Sequence, residues 1–228
     1  MQVNLSAESD VKRPSKLLNR NFFLLWQGQT VSQLGNQAFN IALALWIKQA
    51  TGSATLMGLI LMASTLPAVL LGPIGGAFAD RYSRRRIIIV CDLVGGLAVL
   101  LLAGLMFLAP EATNATLVLL FAVSLLIAII TTFFNPAISA AIPDLVPKER
   151  LAGANSLAQF TFQLSVFIGQ GLGGTLFRLL GAPMLFLIDG VSYLFSAVSE
   201  TFITIPQTIP EKGPNWRSTL HKFGADLK

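Results

Sequence analysis

The chain is 228 residues long, 54% hydrophobic and 12% charged, with a formal net charge of +5. A soluble domain carries about 25% charged residues, so this composition excludes an ordinary water-soluble fold and points to a chain solvated by lipid. One cysteine, Cys91, rules out a disulfide framework, and one histidine, His221, rules out a histidine-built metal or catalytic cluster.

Residues 1–20 are polar and basic and read as a cytoplasmic N-terminal tail. Six apolar stretches follow, at 22–48, 54–79, 87–109, 115–141, 152–180 and 183–205. Each reaches the length of about 20 residues that a membrane-spanning helix needs. The runs are too long for strands and do not alternate. The expectation is an all-α membrane domain of six transmembrane helices over 21–205. The first run is studded with Gln and Asn and is too long for a signal-peptide core, so it reads as a retained helix. From Pro206 the chain turns polar again, and 206–228 reads as the start of a cytoplasmic loop.

The connections carry breaker residues: Thr51-Gly52-Ser53, Pro110, and Gly181-Ala182-Pro183. A longer loop is expected from Pro143 to Arg150. Between the second and third runs, Asp80-Arg81-Tyr82-Ser83-Arg84-Arg85-Arg86 puts five charges into seven residues. Such a cluster cannot sit in hydrocarbon, so it is a short loop between two spans. With residue 1 inside, fourteen Lys and Arg fall on the inner side and two, Lys48 and Arg178, on the outer side. That asymmetry places both termini in the cytoplasm and accounts for the basic charge without a nucleic-acid partner.

An internal repeat accompanies the six runs. Ile74-Gly75-Gly76-Ala77-Phe78 matches Leu172-Gly173-Gly174-Thr175-Leu176 at an offset of 98, and Asp92-Leu93-Val94-Gly95 echoes Asp189-Gly190-Val191-Ser192 at an offset of 97. A three-span repeat reverses its direction in the membrane, so helices 1–3 and 4–6 would form two inverted three-helix repeats.

Gly76-x-x-x-Asp80-Arg81-x-x-Arg84-Arg85 resembles the loop 2–3 signature of the major facilitator superfamily, with Ser83 in place of its second glycine. The resemblance implies that Gly76, Asp80, Arg81, Arg84 and Arg85 form a cytoplasmic gate. Without the family, Gly72, Gly75 and Gly76 allow close helix approach, and Asp80 can pair with Arg84. Ser165 to Gly174 looks like the fifth-helix motif of the family's antiporters. Gly169, Gly173 and Gly174 match, Ser165 stands for the first glycine and Gln170 for the proline. The resemblance implies helix packing and export. The stretch from Asn135-Pro136 to Asn155-Ser156-Leu157 is similar to the enterobactin-type and macrolide-type exporter branch. Together these features imply the N-terminal half of a twelve-helix major facilitator fold.

Polar residues inside spans mark a pathway, because lipid-facing positions reject them. Gln29, Gln33, Asn36, Gln37 and Asn40 fall on one stripe of the first helix. The family resemblance places the first and fourth helices around the central cavity. Gln33, Asn36, Gln37, Asn40 and Asn135 are the candidate substrate contacts, with interhelical hydrogen bonding as the competing role. Related exporters often carry Asp where Asn36 stands, and an asparagine cannot titrate. Asp92 and Asp189 are expected to act as structural caps or pairs, with proton carriage as the competing role.

Catalytic, metal and cofactor motifs are absent from the sequence. The reading is a bacterial inner-membrane exporter of a hydrophobic or amphipathic small molecule such as a drug or siderophore. Its partners would be the lipid bilayer and a missing C-terminal half or a second copy. The alternative is a non-transporting six-helix membrane protein.

Overall fold

A computed structural model describes residues 17–207; the tail 1–16 and the loop residues 208–228 lie outside the described residues, as does His221. Regular structure among the described residues is helical throughout: α1 (Arg20–Thr51), α2 (Ala54–Arg81), α3 (Arg84–Leu108), α4 (Thr113–Leu145), a single 3-10 turn (Lys148–Arg150) and α5 (Leu151–Thr201). Polar residues set the ends. Asn19 caps α1 by accepting from the Phe22 amide at 3.1 Å, and its Nδ2 donates to the Leu145 carbonyl at 2.7 Å. That pair ties the start of α1 to the end of α4. Ser53 caps α2 by accepting from the Leu56 amide at 3.1 Å.

α5 is 51 residues long, about 75 Å if straight, far more than a bilayer is thick. It is not straight. Gly181 breaks it with φ 76° and ψ 166°, a backbone conformation that side-chain-bearing residues rarely adopt. The first arm, 151–180, runs parallel to α1: Trp26 meets Thr161, Gln37 meets Gly169, and Ile41 meets Gly173. The second arm, 182–201, runs antiparallel to α1: Gln27 meets Ser199, Gly35 meets Ser192, and Asn36 meets Tyr193. The bend is therefore a hairpin, at the place where the sequence sets a turn.

α2 lies parallel to α4, with Gly75 against Thr132 and Phe78 against Phe133. α3 runs antiparallel to α4 and to the second arm of α5, with Arg84 beside Asp144 and Gly96 beside Gly190. α2, α3, α4 and the stretch Lys148–Thr201 are long and apolar enough to cross a membrane. α1 has the length, but its polar side chains leave it short of that apolarity. Large apolar side chains face outward, among them Val69 (72% exposed), Leu101 (64%) and Val118 (72%). Water would penalise that surface and lipid accepts it.

One expected boundary is corrected. α4 continues through Pro143 to Leu145, so the loop expected from Pro143 begins only after the helix, and its 3-10 turn takes Lys148–Arg150. Proline removes one helix hydrogen bond, and neighbouring helices compensate for such losses in membrane bundles. Three apolar clusters fill the interior. The largest joins Phe39, Leu43, Ile47, Leu102, Leu120 and Phe186, with the Phe39 and Phe186 rings 5.1 Å apart.

Candidate functional site

The first group of candidate residues lies at the end of the bundle that carries the arginines. Arg81 closes α2, and Arg84 opens α3 after the Tyr82-Ser83 link. The Arg84 guanidinium donates to Asp144 Oδ2 at 2.5 Å and to the Ala140 carbonyl at 3.0 Å, both on the last turns of α4. Asp80 stands 3.9 Å from the same guanidinium and its side chain is 76% exposed. The expected Asp80–Arg84 pair is thus the looser one, and Asp144 is the principal partner. The reason is reach: Asp80 shares a surface with Arg84 across the link, whereas Asp144 sits under it in a half-buried position. Arg85 donates to the Thr201 carbonyl at the end of α5. Gln207 closes the cluster by accepting from the Arg84 amide at 2.9 Å and donating to the Tyr82 carbonyl at 3.1 Å.

The glycines divide in a regular way. A methyl group on Gly75 would strike the Thr132 carbonyl, and one on Gly173 would strike Ile41. Gly169 is likewise closed by Gln37. By contrast, Gly72, Gly76 and Gly174 have open space among the described residues. Gly174 therefore does not join Gly169 and Gly173 in helix packing here, and Gly72 and Gly76 do not join Gly75. The residues that could pack on those open positions are not part of the described fold.

The second group lines a cavity of about 290 Å³ between α1, α2 and α4. Asn36, Asn40, Thr131, Thr132 and Asn135 contribute polar groups to it, with Ser64 and Ser124 from its sides. Asn40 and Asn135 are exposed to this space. Gln33 and Gln37 take other places. Gln33 lines a separate small cavity of about 50 Å³ with Trp26, Gln29 and Thr161. Gln37 is packed at the contact with the first arm of α5. The stripe is wider than one cavity, because a helical face about 100° across meets more than one neighbour.

Part of the stripe instead binds α1 to the second arm of α5. Gln29 Nε2 donates to Glu200 Oε1 at 2.8 Å, and the Tyr193 hydroxyl donates to Asn36 Oδ1 at 3.0 Å. Ser199 donates to the Leu24 carbonyl at 2.8 Å. Asp92 and Asp189 are buried, and neither joins an ion pair among the described residues. They are not the caps or paired charges expected of them: Asp92 and Asp189 lie inside α3 and the second arm of α5. Sequence reasoning did not single out Asp144, Tyr193 or Gln207. Their partners are 60 to 157 residues away in the chain, and only the intramembrane position of Tyr193 beside other polar groups offers a signal.

The bundle thus holds a cavity with polar and apolar walls between its long helices and an arginine cluster at one end. The family model for the Major Facilitator Superfamily matches residues 25–224. The chain belongs to the Major Facilitator Superfamily. It is similar to macrolide efflux protein A of Streptococcus pyogenes, 26% identical over 186 residues, covering 82% of this chain and 45% of that protein. It is also similar to the MFS-type transporter YkuC of Bacillus subtilis, 28% identical over 208 residues, covering 90% of this chain and 47% of the other. A third relative, the multidrug efflux pump Tap of Mycolicibacterium fortuitum, is 30% identical over 154 residues, covering 64% and 36%. The chain spans about half the length of the curated relatives it matches. The superfamily is one of membrane transporters, and the transporter and efflux names belong to these relatives.

Proposed function

We propose that the chain is the N-terminal half of a secondary exporter that moves a hydrophobic or amphipathic small molecule by alternating access. The observation that carries this reading is the cavity between α1 and α4. Asn36, Asn40 and Asn135 present amides to it, while Phe39, Leu43 and Ile127 give it apolar walls. A site of that composition suits a solute with a large apolar body and few polar groups. The names of the macrolide and multidrug efflux relatives favour export and a drug-like substrate.

In this reading the chain crosses the bilayer six times, as two inverted three-helix repeats. The packing supports it. If α1 corresponds to α4, α2 to the first arm of α5, and α3 to the second arm, then the α1–first-arm contact corresponds to α4–α2. The α1–second-arm contact likewise corresponds to α4–α3. Both members of each set are made. Gly75 and Gly173, 98 residues apart, are the closed members of their Gly-Gly pairs, and Gly76 and Gly174 are the open ones. The open glycines and the exposed faces of α1 and α4 would meet a C-terminal half or a second copy. Both termini and the arginine cluster lie in the cytoplasm of a bacterial inner-membrane protein, by the bias of Lys and Arg. Gly76, Asp80, Arg81, Arg84 and Arg85 then gate the cytoplasmic side, with Asp144 as the inner partner of Arg84.

The test is accumulation of macrolides and amphipathic dyes in efflux-deficient bacteria that express the chain joined to its second half. Lower accumulation with the native protein, restored by Asp80→Asn at equal membrane content, is the expected result. Unchanged accumulation of every compound, with the protein inserted in the membrane, would overturn the exporter reading.

A further inference from the structure

α3 begins without a side-chain cap of its own. Asn19 and Ser53 accept from first-turn amides of α1 and α2, but Ser83, in the same place before α3, makes no such bond. The first amides of a helix have no partner inside it, and one left unpaired away from water is costly. The Arg84 amide finds its partner 123 residues further along the chain, where Gln207 Oε1 accepts from it at 2.9 Å. The other end of the same side chain reaches across the link. Gln207 Nε2 donates at 3.1 Å to the carbonyl of Tyr82, the residue that caps the end of α2. One side-chain amide thus caps α3 and grips the end of α2, the two helix ends that carry the arginine loop.

Gln207 is held in place by the residues before it. The second arm of α5 ends at Thr201. Pro206 cannot donate a helix bond and biases Ile205 towards an extended backbone. The segment then alternates as extended chain does, with Ile203 buried, Thr204 exposed, Ile205 half-buried and Pro206 exposed. Ile203 sits in the cluster of Phe22, Leu25, Leu145 and Ala154, and Ile205 packs on both that cluster and the one of Ala79, Ile88 and Ala137. Between them, one side chain of α1 binds both backbone groups of Thr204. Asn21 Nδ2 donates to the Thr204 carbonyl at 3.0 Å, and the Thr204 amide donates to Asn21 Oδ1 at 3.3 Å. At the start of the segment the Thr201 carbonyl accepts from Arg85, in the first turn of α3.

We propose that residues 202–207 form a strap across the arginine-bearing end of the bundle, with Asn21 and Gln207 as its two catches and Gln207 as the positioning residue of the arginine loop. Gln207 fixes the first turn of α3, from which Arg84 reaches Asp144 and Arg85 reaches the strap itself. The sequence runs on from Gln207 into 208–228, so a pull from that side acts first on this side chain. Unseating it takes the cap from α3 and frees the turn that aims Arg84 at α4. The consequence for transport rests on the reading of the arginine cluster as a gate: movement beyond residue 207 would reach the gate through one glutamine. The strap itself is built from contacts of α1, α3 and α5, and its test measures no transport, so the two can fail separately.

The test is hydrogen–deuterium exchange of the membrane-reconstituted full-length protein, resolved at the Arg84 amide. That amide should exchange several-fold faster in Gln207→Ala, which removes its acceptor. Gln207→Glu keeps an acceptor at a helix N-terminus and should keep the protection. Asn21→Ala alters no bond to the loop, yet it should speed exchange at both Thr204 and Arg84 while the α3 amides around Gly96 stay as they were. Exchange at Arg84 unchanged in Gln207→Ala, or equally fast in Gln207→Glu, would overturn the cap. Faster exchange at Thr204 in Asn21→Ala with Arg84 unmoved would overturn the strap, as would faster exchange along the whole of α3, which marks general loosening.

Discussion

Arg84 and Asp144 are joined at 2.5 Å across the α3–α4 contact, while Asp80, four residues before Arg84, stands 3.9 Å away and exposed. The bond therefore fastens two helices at the arginine-bearing end, and the residue of the sequence motif lies outside it. Asp144→Asn should lower the unfolding free energy of the detergent-solubilised chain by about 1–3 kcal/mol, the range for a charge-assisted hydrogen bond. Asp80→Asn should cost less than about 1 kcal/mol, as exposed pairs do. Chemical-denaturant unfolding of the two variants side by side checks the order; equal losses would return Asp80 to the structural role.

The two Gly-Gly pairs predict opposite results for neighbouring positions. Gly75→Ala and Gly173→Ala force a methyl group into Thr132 and Ile41, and overpacking of this kind costs about 1–3 kcal/mol. Gly76→Ala and Gly174→Ala meet open space in this chain, so they should be neutral or stabilising by up to about 1 kcal/mol, because alanine favours the helix. Thermal unfolding of the four variants of the chain on its own gives the comparison.

The α1 stripe should split in the same way. Gln29→Leu removes the shorter of two hydrogen bonds to Glu200 Oε1 and leaves only the one from Ser196 at 3.3 Å, a loss of about 0.5–1.5 kcal/mol. Asn40 makes no side-chain hydrogen bond among the described residues and faces the cavity, so Asn40→Ala should stay within about 0.5 kcal/mol while changing transport of the substrate. Paired stability and efflux measurements separate the two classes.

Much of this architecture is legible in the chain because the bilayer allows few solutions. Long apolar runs must be helices, breaker residues at Gly52 and Gly181 mark turns, and the arginine cluster cannot enter hydrocarbon. Candidate residues could be named on α1 and α4, and Asn36, Asn40 and Asn135 do line one cavity. Finer assignments fail where they depend on which neighbour a helix face meets. Gly75 and Gly76 are adjacent in sequence, but a rotation of about 100° separates them on the helix, and only one meets α4. Gln33 and Gln37 belong to the polar stripe, yet they sit over different neighbours from Asn40. The partner of Arg84 lies 60 residues on, at a helix end that the two prolines of α4 made look like a loop.

Thiol labelling of introduced cysteines tests the solute route most directly, since the one native thiol, Cys91, is buried. Asn40→Cys and Asn135→Cys on the assembled transporter should react with a membrane-impermeant maleimide and be protected by a transported solute. Leu101→Cys and Val118→Cys, on outward apolar faces, should stay unlabelled in the bilayer. Labelling at Leu101 and Val118, with positions 40 and 135 silent, would contradict the assignment of the α1–α4 cavity as the path through the membrane.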